Sequence, residues 1–361
     1  MSEQHKGEDG VRTVFISCLV FCLLLAGCAE THSVLRYNTS GDQATYVWPS
    51  APETPRYRYI GELTGEENIS KDKDKQSFGS KLLGWLAGIV SGKRKSVVLQ
   101  RPQGVFVDQA GRIYISDVSR SAIYVFDEAR GTLNVWEMAG QKTRFVTPVG
   151  IAEDASGQLL VVDADLGYVV RLNQKGEPIG TFGKGIFKRP TGIAYDAAGG
   201  RIFVADTHDD NIKIFDDDGN LLDKFGTFGE GDGEFNSPTY LAYKDDRLYV
   251  TDTLNSRIEI FSGKGKYIRS VGKRGLYVGD LPRPKGVAVD QDGNIYVVES
   301  YYDHLLIFNN KGEFLLHIGG TGSGVGEFYL PAGVWTDQRN RVFVADAFNG
   351  RVVILQYLGA A

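Results

Sequence analysis

The chain has 361 residues, 42% of them hydrophobic and 24% charged, with a formal net charge of −5. That balance is enough for a large buried core, and the lack of a basic excess argues against bulk nucleic-acid binding. All 3 cysteines (Cys18, Cys22 and Cys28) fall near the N-terminus, so no disulfide framework is expected in the remainder.

Residues 1–10 are acid-rich, with Glu3, Glu8 and Asp9 against Lys6, a poor opening for a secretory signal. Translation is therefore expected to begin at Val11, leaving Arg12 as the positive charge, with Met1 as the alternative start. Residues 14–26, VFISCLVFCLLLA, are an apolar run too short to span a bilayer and suited to a signal-peptide core. The run ends in Leu25-Ala26-Gly27-Cys28, which resembles a bacterial lipobox. The resemblance implies a signal peptide over 1–27, cleaved before Cys28, and lipidation of that cysteine with palmitate-class acyl chains. It places the protein in the bacterial cell envelope, with an ordinary secretory signal or an uncleaved anchor as the alternatives. Ala29 stands where an Asp would indicate inner-membrane retention, which favours the outer membrane on either its periplasmic or its exposed side.

Residues 28–56 are polar and proline-containing and read as a tether. YRYIGEL at 57–63 has the pattern of an outer strand, comparable with KYIRSVG at 266–272. Residues 64–98 are an insertion. Its first half is a charge run, and its second half sets Phe78, Leu82, Trp85, Leu86 and Ile89 at helical spacing. A helix near 78–90 is expected to pack on the domain, with a membrane surface or a partner as the alternatives.

From residue 99 to 361 the chain repeats itself. A Pro–x–Gly start recurs at Pro102, Pro148, Pro190, Pro284 and Pro331, and Pro238 begins a further unit without the Gly; the gaps are 42 to 48 residues. Each start leads to a turn and to a strand ending in an acid (Asp117, Asp163, Asp206, Asp252, Glu299, Asp346), then to two more apolar runs separated by Gly and Asp turns. One such sheet cannot hide both of its faces and needs copies on either side. In PTGIAYDAAGGRIFVADTHDDNIKIFDDDGNLLDKFG at 190–226 the unit resembles the NHL repeat, and the resemblance covers 102–358. It implies an all-β fold: a six-bladed β-propeller of four-stranded antiparallel blades. The unit begun at Pro331 ends on its third strand, so Tyr57–Leu63 is expected to close the ring as the outer strand of the last blade; the propeller is thus 57–63 with 99–361. Thr239-Tyr240 departs from the pattern by placing a ring where the Gly belongs.

In this topology the loops between blades and the turns from second to third strand emerge on one face. The inter-blade loops there are long, and the turns add Arg120, His208, Arg257, Tyr301, Tyr302, His304, Phe348 and Arg351 as candidate ligand-binding residues. The recurring acids are read as turn-holding hydrogen-bond acceptors, and Asp216-Asp217-Asp218-Gly219 as a hairpin and no calcium loop. No catalytic residue, metal or cofactor is assigned. The expected function is a non-catalytic scaffold, a monomeric propeller binding an envelope protein or peptide through its loop face. Two alternatives stay open: a metal-dependent lyase or hydrolase at the channel mouth, as in the peptide-amidating lyases that share the repeat, and a ligand-sensing or carbohydrate-binding module.

Overall fold

The structure, a computed structural model, describes residues 33–38, 46–71 and 97–359. The described residues form six sheets, five of four antiparallel strands and one of five, together with a two-stranded ribbon. The innermost strand of each sheet touches those of its two neighbours, and that of the last touches Pro102–Val107 of the first, so the sheets close a ring. This is the six-bladed propeller expected from the repeat.

The sequence of each blade follows from its surroundings. Numbering the blades 1–6 from the units begun at Pro102, Pro148, Pro190, Pro238, Pro284 and Pro331, in blade 5 Ile295–Glu299 and His304–Phe308 are almost wholly buried, because both sheet faces lie against other blades; Phe314–Gly319, the outer strand, is mostly exposed. Strands covered on both faces are continuously apolar, and the outermost can afford alternation. The core is accordingly divided into six clusters among the described residues, one at each seam between blades. The glycine of the Pro–x–Gly start belongs to those seams. A Cβ at Gly104 would lie 2.2 Å from the Val149 carbonyl oxygen of the next blade, and one at Gly333 would lie 2.3 Å from that of Gln103. Any side chain pointing that way would force adjacent blades apart.

The last blade is completed from the front of the chain. Tyr57–Leu63 pairs antiparallel with Arg351–Tyr357, from Val352 opposite Leu63 to Tyr357 opposite Tyr57, and Val47–Trp48 adds a fifth strand outside it. Tyr57 and Tyr59 enter the seam between blades 5 and 6, and Leu63 enters the one between blades 6 and 1. Arg351 binds Glu62 Oε2 at 2.8 Å, fastening the borrowed strand. Within the span read as a tether, Ser33–Leu35 pairs with Ile69–Lys71, and Asn38 exchanges two 3.0 Å backbone hydrogen bonds with Glu62. Leu35 and Tyr37 rest against the last seam. Cys28, the signal segment and the helix expected near 78–90 lie outside the described residues. Among the described residues no helix is long and apolar enough to cross a membrane.

Candidate functional site

The acid ending each second strand organises the loop face. Asp117 accepts the backbone N–H groups of Gln100 and Arg101 on one oxygen, at 2.6 and 2.9 Å, and those of Ser119 and Arg120 on the other, both at 3.0 Å. Asp163 holds Val146, Thr147, Asp165 and Leu166 in the same way, and Glu299 holds Arg283, Tyr301 and Tyr302. One buried carboxylate thus staples the loop arriving from the previous blade to the turn leaving its own strand. Burial pushes Asp252, Glu299 and Asp346 above the ordinary carboxylate range, while the hydrogen bonds they accept oppose the rise. The result is a rigid frame from which the turn tips project.

The tips differ around the ring. Two residues beyond the acid stand Ser119, Asp165 and His208 in blades 1–3, but Leu254, Tyr301 and Phe348 in blades 4–6. The inter-blade loops deepen the contrast: Tyr277 is 84% exposed and Leu276 78%, beside Tyr301 at 62% and Phe348 at 51%. Tyr329 packs edge-on to Phe348 with ring centroids 5.6 Å apart, and the Arg101 guanidinium lies 5.2 Å from the Phe348 centroid. The turn tips of blades 4–6 are therefore apolar or aromatic and those of blades 1–3 polar, while the loops of the polar side also expose Val146 and Ile186.

The structure separates the residues that the sequence grouped together. Tyr301, Tyr302 and His304 form a run on blade 5, with centroids 4.9 and 6.3 Å apart, and His304 faces His317 at 5.0 Å. Burial and His317 push the His304 imidazole below its ordinary range. Phe348 joins this half through Tyr329. His208 is exposed on blade 3, in the polar half, and does not meet His304. Arg257 and Arg351 are internal pins. Arg257 binds Asp252 and the carbonyls of Glu230, Gly231 and Glu234, and Arg351 binds Asp346, Glu62 and the carbonyls of Gly324 and Glu327. Each holds an inter-blade loop in shape and has little of its guanidinium left for a ligand. Arg120 lies beside Asp117 with its Nε buried and unpartnered among the described residues.

Tyr240 reaches across the ring. Lacking the seam glycine, blade 4 sends this ring across the axis, where its hydroxyl reaches to 3.5 Å from Gln103 Oε1 on blade 1, the blade opposite. Burial alone raises its phenol far above the ordinary value. On the hairpin face, two cavities of about 400 and 200 Å³ flank Trp335; the larger is also lined by Phe106, Asp108, Glu153 and Arg339. Phe106 and Trp335 pack at 4.8 Å, and burial raises the Glu153 carboxyl. Among the described residues, no three His, Cys, Asp or Glu side chains are grouped so as to hold a metal ion.

Comparison with known proteins agrees with the architecture. Residues 286–357 match a family described as a 6-bladed beta-propeller, and residues 187–215 match the NHL repeat. Protein brain tumor of Drosophila melanogaster is 30% identical over 128 residues, which are 35% of this chain and 12% of that protein. Among solved structures, virginiamycin B lyase from Staphylococcus aureus superposes with a TM-score of 0.52 at 14% identity, over 72% of this chain and 96% of its own. A gluconolactonase from Xanthomonas campestris gives 0.55 at 17%, over 73% and 89%. An auxiliary nutrient binding protein from Bacteroides ovatus gives 0.57 at 14%, over 71% and 69%. At these identities the likeness is one of fold, a scaffold that carries both enzymes and binding proteins.

Proposed function

We propose, from a six-bladed propeller that carries the NHL repeat, that this chain is a non-catalytic scaffold, lipid-anchored through Cys28 in the bacterial envelope, which binds a polypeptide on the loop face of blades 4–6. The observation that carries this reading is the one-sided tip pattern: Leu254, Tyr301 and Phe348 are presented to solvent at positions where blades 1–3 carry Ser119, Asp165 and His208. Exposed aromatic side chains on a rigid frame lose little conformational freedom on binding and bury large apolar areas, which is the composition of protein-binding hot spots. Exposed apolar residues gathered on one side of a folded domain mark an interaction surface. The cationic residues among them, Arg101 and Arg283, favour an acidic or carboxylate-bearing partner.

The reading is tested by affinity capture from envelope extracts. The wild-type chain is compared with a variant carrying Tyr301→Ala, Tyr302→Ala and Phe348→Ala, and with a control carrying Ser119→Ala and His208→Ala. Partners lost from the first variant and kept by the second support the assignment; identical partner sets from all three overturn it. A second reading, small-ligand sensing, is favoured by the cavity beside Trp335, whose aromatic wall and half-buried Glu153 suit a polyhydroxylated ring. A screen of mono- and disaccharides by saturation-transfer NMR, with no signal that depends on Trp335, would remove it.

A further inference from the structure

Trp335 stands between the two cavities of the hairpin face. It lines the larger together with Phe106 of blade 1 and Glu153 of blade 2, and the smaller together with Lys244 of blade 4 and Ala288 of blade 5, so the indole lies between opposite sides of the ring. At this position of the first strand blades 2–5 carry alanine, and only blades 1 and 6 carry rings, Phe106 and Trp335, packed 4.8 Å apart. The indole N–H is buried without a partner among the described residues. The larger cavity, at about 400 Å³, has the size of a small-molecule site.

The charges around that cavity are paired off, with one exception. Asp108 accepts Arg112 Nε at 2.7 Å and the Tyr114 hydroxyl at 3.1 Å, and Asp337 accepts Arg341 Nε at 2.7 Å. Arg339 and Arg341 both bind Glu128, at 3.0 and 2.5 Å, and Asp154 is held by Arg171 at 2.5 Å. Glu153 lines the cavity with neither a hydrogen-bond donor nor an ion-pair partner among the described residues. Burial and then Asp108 raise its carboxyl, against the pull of Arg112. The residue that follows it in the strand, an acid in five blades, is Lys244 in blade 4, so the unpaired base belongs to the smaller cavity and the unpaired acid to the larger. A half-buried carboxylate without a donor, beside two aromatic rings, is suited to an organic cation, which gains a charge-assisted hydrogen bond and a cation–π contact together.

We propose that the larger cavity binds an amino sugar, with its ammonium group on Glu153 and its ring against Trp335 and Phe106. The inference is separate from the loop-face reading; it rests on the small-ligand reading of this cavity and adds the charge of the ligand. The apolar face of the sugar ring covers the indole, and its hydroxyls meet Gln109 and Gln338, which line the same cavity and whose amide groups have no partner among the described residues.

The test uses the full chain labelled with nitrogen-15, titrated at pH 7 with glucosamine, glucose and cyclohexylamine and read at the indole N–H resonance that disappears in Trp335→Phe. Glucosamine is expected to bind at least tenfold more tightly than either of the others. Its preference over glucose is expected to fall below twofold in Glu153→Gln, which keeps the shape of the side chain, and to persist in Glu137→Gln, which removes the same charge from the loop face. Equal binding of glucosamine and glucose overturns the charge assignment and leaves the small-ligand reading of the cavity standing. So does a preference that survives Glu153→Gln or is lost in Glu137→Gln. Cyclohexylamine binding as tightly as glucosamine, and released in Glu153→Gln, overturns the sugar and the polyhydroxylated-ring reading with it, while keeping Glu153 as a cation site. A Trp335 resonance unmoved by all three probes overturns both.

Discussion

Glu259 makes the stability of blade 4 depend on pH in a direction opposite to that of most carboxylates. It lies on Arg257–Ser262 with no exposed surface; Oε1 is 3.1 Å from Arg257 and accepts the Gly233 N–H at 3.3 Å, while Oε2 has no partner among the described residues. Arg257 is already held by Asp252 and three carbonyls, so burial prevails over the ion pair and raises the carboxyl from 4.5 to about 7. Because the folded-state value is raised, the native chain binds more protons than the unfolded chain between those two values, and stability falls as pH climbs through the window. At about 1.36 kcal/mol per unit, the penalty at neutral pH is roughly 3 kcal/mol. Glu259→Gln keeps the shape of the protonated acid and removes the titration. Urea melts from pH 4.5 to 8 should show the two proteins equal at the acid end, with the variant gaining about 3 kcal/mol by pH 8. Other carboxylates, such as Asp209 and Glu128, whose partners hold them below the ordinary range, cancel in the difference. A gap that does not change with pH refutes the reasoning.

Leu63→Ala removes a fully buried side chain of the borrowed strand and should cost about 2–5 kcal/mol, whereas Leu222→Ala, on the exposed outer strand of blade 3, should stay within about 0.5 kcal/mol; paired thermal melts check both. Lys285→Met removes an uncompensated cation and should raise stability by about 3 kcal/mol below pH 8, the advantage fading as pH rises toward 10.5 and the wild-type lysine discharges; the check is urea melts across that window. Gly104→Ala puts a Cβ 2.2 Å from the Val149 carbonyl oxygen and should open a seam, read as a lower melting temperature and faster amide exchange in both flanking blades.

The ring and its closure were legible because both rest on periodicity: a unit with two wide apolar faces demands neighbours, and a last unit one strand short demands Tyr57–Leu63. The strands at Ser33–Leu35 and Val47–Trp48 were not, since each is only 3 or 2 residues long and is set by an edge available only once the ring exists. Tyr301 and Phe348 could be placed on the loop face by counting from the recurring acid, and the same counting would have separated the polar tips from the apolar ones. Arg257 and Arg351 could not be judged that way. A cation in a turn reads the same whether it faces solvent or folds back on a carbonyl, and only the packed loop tells which.

The central claim, that blades 4–6 dock a polypeptide, is tested most directly by placing a photo-crosslinking amino acid at position 301 and, separately, at its blade 1 equivalent, position 119, in cells expressing the full chain. The account predicts discrete protein adducts from position 301, lost when Phe348 and Tyr302 are changed to Ala, and none from position 119. Equal adducts from both positions, or none from 301, would contradict it.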